Sequence, residues 1–249
     1  MKRRIMNTVR TLIISALFAC YQPLWAQIKN SGDGLVGNGK IVSEERTLEP
    51  YDRLLVDFAV KVRITQGDPA KAELEGEQNV LPYVTVSVNK GELTIGLSRT
   101  TKFKETKPIT VTIHRATLQA INAKTACAIT SDLPINSEGL TVMLDEASTL
   151  TTPLAVQQLT VDLAAASSVA FQGKTQTAVL RLDAASRVAA ADLTIAKAEL
   201  TLNGASHAII HVIETLSASA DGVSTIKYSG NPTITSQRAT GLSKIKHTN

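Results

Sequence analysis

Bulky aromatic side chains are scarce in this chain. Phenylalanine, tyrosine and tryptophan together make up 4% of its residues, and the single Trp is Trp25. A core built without them is filled by Ala, Val, Leu and Ile, which suits thin, closely stacked layers better than a wide globular centre. Cysteine is nearly absent as well: Cys20 lies in the apolar N-terminal stretch and Cys127 stands alone beyond it, so no disulfide inside the folded part supplies stability. No apolar run reaches the roughly 20 residues that a membrane-crossing helix requires. Excess charge is missing too, once its source is found. The formal net charge is +4, and Lys2, Arg3, Arg4 and Arg10 account for all of it. Without residues 1–26 the chain is close to neutral, so a basic surface for nucleic acid is not indicated.

Those four cations precede TLIISALFA, a short apolar segment, and Ala26 in LWAQ offers a small residue for cleavage. This is the pattern of a secretory signal over residues 1–26, with the mature start at Gln27. LFAC at 17–20 supplies the competing reading, a lipoprotein box with Cys20 acylated, which would give the chain a lipid anchor as its membrane contact. Residues 27–44, with SGDG and GNGK, read as a flexible lead-in, and residues 45–249 as the folded domain.

What the chain has in place of bulk is a repeat. Small-residue motifs end at Ser148, Ser167, Ser186, Ser206 and Ser224, in DEAS, AAAS, DAAS, NGAS and DGVS, with spacings of 19, 19, 20 and 18. TGLS at Ser243 and KTAC at Cys127 extend the series. A constant period of this size is the mark of a solenoid. The columns agree with the period: Leu144, Leu163, Leu182, Leu202 and Ala220 stand four residues before each Ser, and Val142, Val161, Leu180, Leu200 and Ala218 stand six before. Leu150, Val169, Val188, Ala208 and Ile226 stand two after. Polar residues such as Thr141, Asp162, Arg181 and Thr201 fill the alternate places, which is the pattern of strands with one buried face.

The expected fold is therefore all-β: a single-stranded parallel β-helix, or solenoid, with coils of about 19 residues and small-residue corners where neighbouring backbones leave no room for larger groups. Residues 116–249 are the regular repeats. Residues 45–115 are strand-rich without the corner motif and read as opening coils or a cap, with a turn at Glu73–Glu77 and a tight hairpin turn at Asn89, Lys90 and Gly91.

The run GNGKIVSEERTLEPYDRLLVDFAVKVRITQGD, then KGELTIGLS, then the repeated corners, resembles the head GIN domain family of auto-transporter adhesins, over roughly residues 37–247. The resemblance implies a right-handed β-helix located outside the inner membrane, in the periplasm, on the outer surface or beyond it. It carries no catalytic residues and no cofactor. A self-translocating protein of that type would end in a membrane barrel of many strands of about ten residues, and the segment ending in KIKHTN does not read as one.

Chemistry-bearing residues all have a simpler structural reading. His207 and His211 in HAIIH sit on a strand with no following Glu, so they read as surface histidines rather than a zinc pair. The Asp145, Asp183 and Asp221 column is broken by Ala164 and reads as turn caps rather than a calcium ladder. Ser206 and His207 are neighbours on a strand and point to opposite faces, which is wrong for a nucleophile and its base. The corner ladder Ser148, Ser167, Ser186, Ser206, Ser224 and Ser243 is structural. TTKFKETK concentrates Lys102, Lys104 and Lys107 around Phe103 and is the one local cationic loop, a solvated segment or a contact for acidic lipid head groups or surface polysaccharide. Together these readings point to a non-enzymatic, exported envelope protein that displays its β-helical surface to a protein or glycan, with self-association through rod ends or sheet faces as a further expectation. Carbohydrate-active lyases and hydrolases built on the same scaffold are the alternative. They usually wall a cleft with long loops, which these compact repeats lack.

Overall fold

The computed structural model describes residues 34–248 except Ala116. The expected signal segment with Cys20 and Ala26, and the mature start at Gln27, lie outside the described residues. The chain forms β1 (Ile41–Thr47), β2 (Arg53–Asp57), β3 (Lys61–Ile64) and β4 (Lys71–Glu77), followed by a short 3-10 turn at Leu81–Tyr83. Next come β5 (Val84–Asn89), β6 (Glu92–Leu97), β7 (Thr110–Ile113), β8 (Ala120–Lys124) and β9 (Ala128–Ser131). The repeat region supplies β10 (Ile135–Leu144), β11 (Thr149–Leu163), β12 (Ser168–Leu182), β13 (Arg187–Leu202) and β14 (His207–Ala220). It closes with β15 (Thr225–Ser229), β16 (Thr233–Ala239) and β17 (Lys244–His247).

Pairing confirms the solenoid. Val142, Val161, Leu180, Leu200 and Ala218 lie side by side in successive parallel strands, one per coil. One sheet runs β6, β2, β8 and then through the later halves of β10 to β14 to β16. The second sheet runs β7, β3, β9, through the first halves of β11 to β14, then β15 and β17. The chain passes from the first sheet to the second at the serine corner and returns by a gentler bend inside each long strand. The buried columns are those read from the repeat: each of the fifteen apolar residues before and after Ser148 to Ser224 is buried. A fully buried Val, Leu or Ile contributes about 1.5–3 kcal/mol, so the alternation alone accounts for which face turns inward.

The corners hold in register through their backbones. Ser148, Ser167, Ser186, Ser206 and Ser224 form a line, and all are buried. The carbonyl of each accepts the amide of the residue following the next Ser, as in Ser168 N to Ser148 O at 3.0 Å and Arg187 N to Ser167 O at 2.9 Å. Side chains add further bonds: Ser148 Oγ accepts the Cys127 amide, Ser224 Oγ accepts the Ser206 amide, and Ser206 Oγ donates to Asn203 O at 2.8 Å, while Ser167 Oγ has no partner among the described residues.

The reason for small residues at these corners differs from the expected one. Ala147, Ala165, Ala166, Ala184 and Ala185 are exposed, so crowding does not select them. What they share is a left-handed backbone, with φ from 46° to 68°. Two consecutive residues at positive φ are the pattern of a type I′ turn. Phe58 and Ala59, Thr125 and Ala126, and Glu146 and Ala147 repeat it. From the NGAS corner onward only the first central residue is left-handed, and it is glycine: Gly204, Gly222 and Gly241. Crowding does act at Gly222, where an added Cβ would overlap the Gly204 carbonyl of the coil beneath.

The first half departs from the repeat. β2 and β3 are true opening strands, but β5 pairs antiparallel with β6 through the expected hairpin turn at Lys90 and Gly91. β4 is antiparallel to β7, and β1 antiparallel to β4. Glu73–Glu77 is therefore strand rather than turn: Ala72, Leu74 and Gly76 face inward while Lys71, Glu73 and Glu75 face out. The lead-in is shorter and tighter than expected, because residues 41–44 already belong to β1. The segment before it is bonded down, with Asn79 Nδ2 donating to Val36 O at 2.8 Å and Asn38 N donating to Asn79 Oδ1 at 3.0 Å. At this end the row above the core is polar: Arg46 pairs with Glu44 at 2.5 Å and donates to the carbonyls of Val84 and Leu81. It bridges the two sheets and closes the core, as terminal units of a solenoid must.

Inward and outward positions one residue apart predict opposite costs. Leu182→Asp places an unpaired charge in the core and is expected to cost at least about 4 kcal/mol, while Arg181→Gln changes stability by less than about 0.5 kcal/mol. Thermal unfolding followed by circular dichroism checks this; equal shifts from the two variants would contradict the assignment of faces.

Candidate functional site

Outward residues of the first sheet form straight columns because the coils are in register. One column reads Leu55, Asn122, Met143, Asp162, Arg181 and Thr201. The column beside it, at the start of each corner, reads Lys124, Asp145, Ala164, Asp183 and Asn203. Between them lies a groove of about 660 Å³, which begins at Glu92 on β6 and ends at Thr201 and Asn203 on β13. It crosses seven strands, so at about 4.8 Å per step it is about 29 Å long.

The lining is chemically mixed. Met143 is 49% exposed in the middle of the groove, and Leu55 is half-buried near one end. Asn122 is half-buried on the groove wall, with its Oδ1 buried and without a hydrogen-bond partner among the described residues. Arg181 Nη1 lies 3.5 Å from Asp162 Oδ1, a long contact that leaves the remaining guanidinium N–H groups free. Asp145 and Asp183 are engaged locally: each accepts the amide of the next residue at 2.8 Å. Asp221 outside the groove does comparable work, and the Thr240 hydroxyl and the Gly222 amide hold its carboxyl below the usual range.

The residues singled out in the sequence lie elsewhere. Ser148, Ser167, Ser186, Ser206 and Ser224 are buried at the corner, and Ser243 in the last coil is half-buried, with its Oγ accepting the Ser224 amide at 3.1 Å. Cys127 extends that ladder. Its thiol donates to Lys124 O at 2.9 Å, and burial pushes its pKa up, so it packs as a small apolar side chain. His211 Nδ1 is 2.9 Å from Ser229 Oγ on the second sheet, and His207 lies on the same strand. Among the described residues no group of three or more His, Cys, Asp or Glu side chains converges as a metal site.

Phe103 is half-buried, stacks edge-on against Tyr83 at 6.1 Å and bridges to Leu35, while Lys102, Lys104 and Lys107 remain exposed around it. The loop straps the first end of the solenoid, and none of these four residues lines the groove. Its fastening is Glu77, a buried carboxylate that accepts the amides of Lys107 at 2.8 Å and Gly39 at 2.7 Å. A side chain at Gly37 would overlap that carboxylate. Sequence reading missed the groove itself. Its signal was the outward column, where Met143 interrupts polar residues.

Stacked parallel coils with a short antiparallel cap and an outward groove place the chain in the class of β-solenoid proteins. It belongs to the family described as "putative auto-transporter adhesin, head GIN domain", whose model matches residues 50–232. Solved structures that share the fold include the following three. A putative adhesin from Bacteroides fragilis is 21% identical with a TM-score of 0.80, covering 86% of this chain and 100% of its own. A putative adhesin from Parabacteroides merdae is 16% identical with a TM-score of 0.71, covering 87% and 100%. A protein from Parabacteroides distasonis named a putative lipid binding protein is 16% identical with a TM-score of 0.68, covering 86% and 99%. At these identities the likeness is one of fold. No protein of curated function matches the chain.

The lysine and glycine amides hold the Glu77 carboxyl below its ordinary value, with the Lys107 amide the larger cause. Its contribution to stability is therefore complete at neutral pH, and it is lost as pH falls below about 4.3 and through the lowered folded value. Glu77→Gln is expected to melt earlier than the parent at pH 7, with the gap narrowing as the pH is taken below 4; a gap unchanged across that range would contradict the role. Melting curves across a pH series provide the measurement.

Proposed function

We propose that this protein is exported and serves at the cell envelope as a non-enzymatic adhesive surface, holding an elongated protein segment or glycan along the groove of the first sheet. The observation that carries the reading is the groove's composition. Beneath it every coil repeats the same apolar residues, while along it each coil offers a different group: Asn122, Met143, Asp162 and Arg181 follow one another at the strand spacing. A partner lying along the coil axis meets an amide side chain, an apolar contact, a carboxylate and a guanidinium in sequence. Such variety supports specificity, because an unmatched buried polar group costs about 1–3 kcal/mol.

The family name and the adhesins among its solved relatives support a surface role. The name of the lipid binding relative agrees with a partner that has one hydrophobic edge, for which Leu55 and Met143 form the contact. The alternative of a carbohydrate-active enzyme draws no support from the groove: Asp145 and Asp183 act as turn caps and Asp162 is shared with Arg181, so these carboxylates hold the fold and the groove wall rather than standing free for acid and base work.

Glycan and peptide arrays probed with the parent and with a Met143→Ser, Arg181→Gln variant test the proposal. The variant is expected to keep its melting temperature and to lose at least about ten-fold in affinity for whatever the parent retains. Retention indifferent to the two changes would remove the groove as the site, and release of shortened product would overturn the non-enzymatic reading.

A further inference from the structure

The second sheet carries a separate feature at its far end. Arg187, His207, Thr225 and Lys244 form one outward row across β13, β14, β15 and β17, and Ile209, Lys227 and Lys246 form the next. Neither Arg187 nor Lys227, Lys244 or Lys246 is paired with a carboxylate of the described residues, and no Asp or Glu occurs in the sequence after Asp221. His207 registers the uncompensated field: burial, then Lys227 and Arg187, push its pKa down. Lysines on an outermost strand guard its edge against pairing. That accounts for Lys244 and Lys246 on β17, but not for Lys227 and Arg187, which lie inside the sheet.

The corner beside these rows changes at the same place. The residue just before each ladder position is Ala147, Ala166, Ala185 and Ala205 in the preceding coils, then Val223 and Leu242 in the last two. Val223 is 61% exposed and Leu242 is 75% exposed, more than any other large apolar side chain described. These two coils put Gly222 and Gly241 in the left-handed position and return the next residue to negative φ, the only backbone there that a β-branched valine readily adopts. The same turn at Gly204 carries Ala205, so it permits the larger aliphatic groups at Val223 and Leu242 without requiring them, and burial gains nothing from them.

From the cationic rows on β13 to β17 and the exposed Val223 and Leu242 at their border, we propose that this end of the second sheet docks on an anionic lipid bilayer. The lysines and Arg187 contact head groups, and the two aliphatic side chains enter the interface. A soluble polyanion would use the cations alone; the adjoining aliphatic pair favours a bilayer, where both features contribute to binding. The opposite end of the same sheet carries Glu45 and Glu73 face to face, with Lys71 paired to Glu45, so the sheet has no uncompensated cationic rows there. The site is separate from the groove and does not depend on the adhesive reading.

Co-sedimentation of the full chain with phosphatidylcholine vesicles, with and without phosphatidylglycerol, tests the proposal against variants in the same background. The parent is expected to partition preferentially to the anionic vesicles. Lys227→Gln, Lys244→Gln and Lys246→Gln together should weaken that partition about a hundred-fold. Val223→Ser with Leu242→Ser should weaken it about ten-fold while leaving the melting temperature in place. Equal partition of the parent and the lysine variant would overturn the proposal. Loss in the lysine variant with none in the serine variant would also overturn it, in favour of a soluble acidic polymer as the ligand.

Discussion

Two residues in a left-handed backbone, followed by one small buried side chain, are the constraint on which the molecule depends. A left-handed residue other than glycine costs roughly 1–2 kcal/mol, and the corners up to Ala185 accept that cost at the same place, while the last three put a glycine there. The return is register. The sharp turn brings each serine over the last, so its carbonyl accepts an amide of the neighbouring coil, and the apolar columns on both sheets fall into line. A slip of one residue would move every buried Leu and Val of a strand to the outside.

Because the corner fixes register, irregularity collects where the corner is not. The spacings of 20 and 18 between Ser186, Ser206 and Ser224 are absorbed by bulges near Ala170–Gln172 and Ala190–Thr194, on the gentle bend away from the ladder. The outer columns of the first sheet stay straight for the same reason, which is what joins single residues from seven strands into one groove. The demands on the outward columns are thereby separated from those on the core. Arg181 and Leu182 are neighbours in the chain, yet one belongs to the groove wall and the other to the core.

Much of this was legible in the sequence because a repeat compares itself with itself. The serine ladder, both inward columns before it and the one after it, and the hairpin at Lys90 and Gly91 follow from alternation and spacing. The cause of the alanines did not, since small size looks alike whether it answers crowding or backbone angle; Glu146 and Thr125 at equivalent places were the clue. β4 was hidden because Glu73, Glu75 and Glu77 mask the inward set Ala72, Leu74 and Gly76. The groove was hidden because a column of unlike residues has no period. The switch from Ala205 to Val223 and Leu242 was visible, but its meaning depends on exposure and on the cations of β15 and β17 lying beside it.

Amide hydrogen exchange tests the central claim most directly. Ala147, Ala166, Ser168, Arg187 and His207 lie at or next to solvent-facing corners, and their amides donate to the adjacent coil. They are expected to exchange as slowly as the amides of β11 to β13, opening only with the unfolding of whole coils. Exchange as fast as that of an exposed loop would show that the corners follow the strands rather than setting their register, and the account would fail.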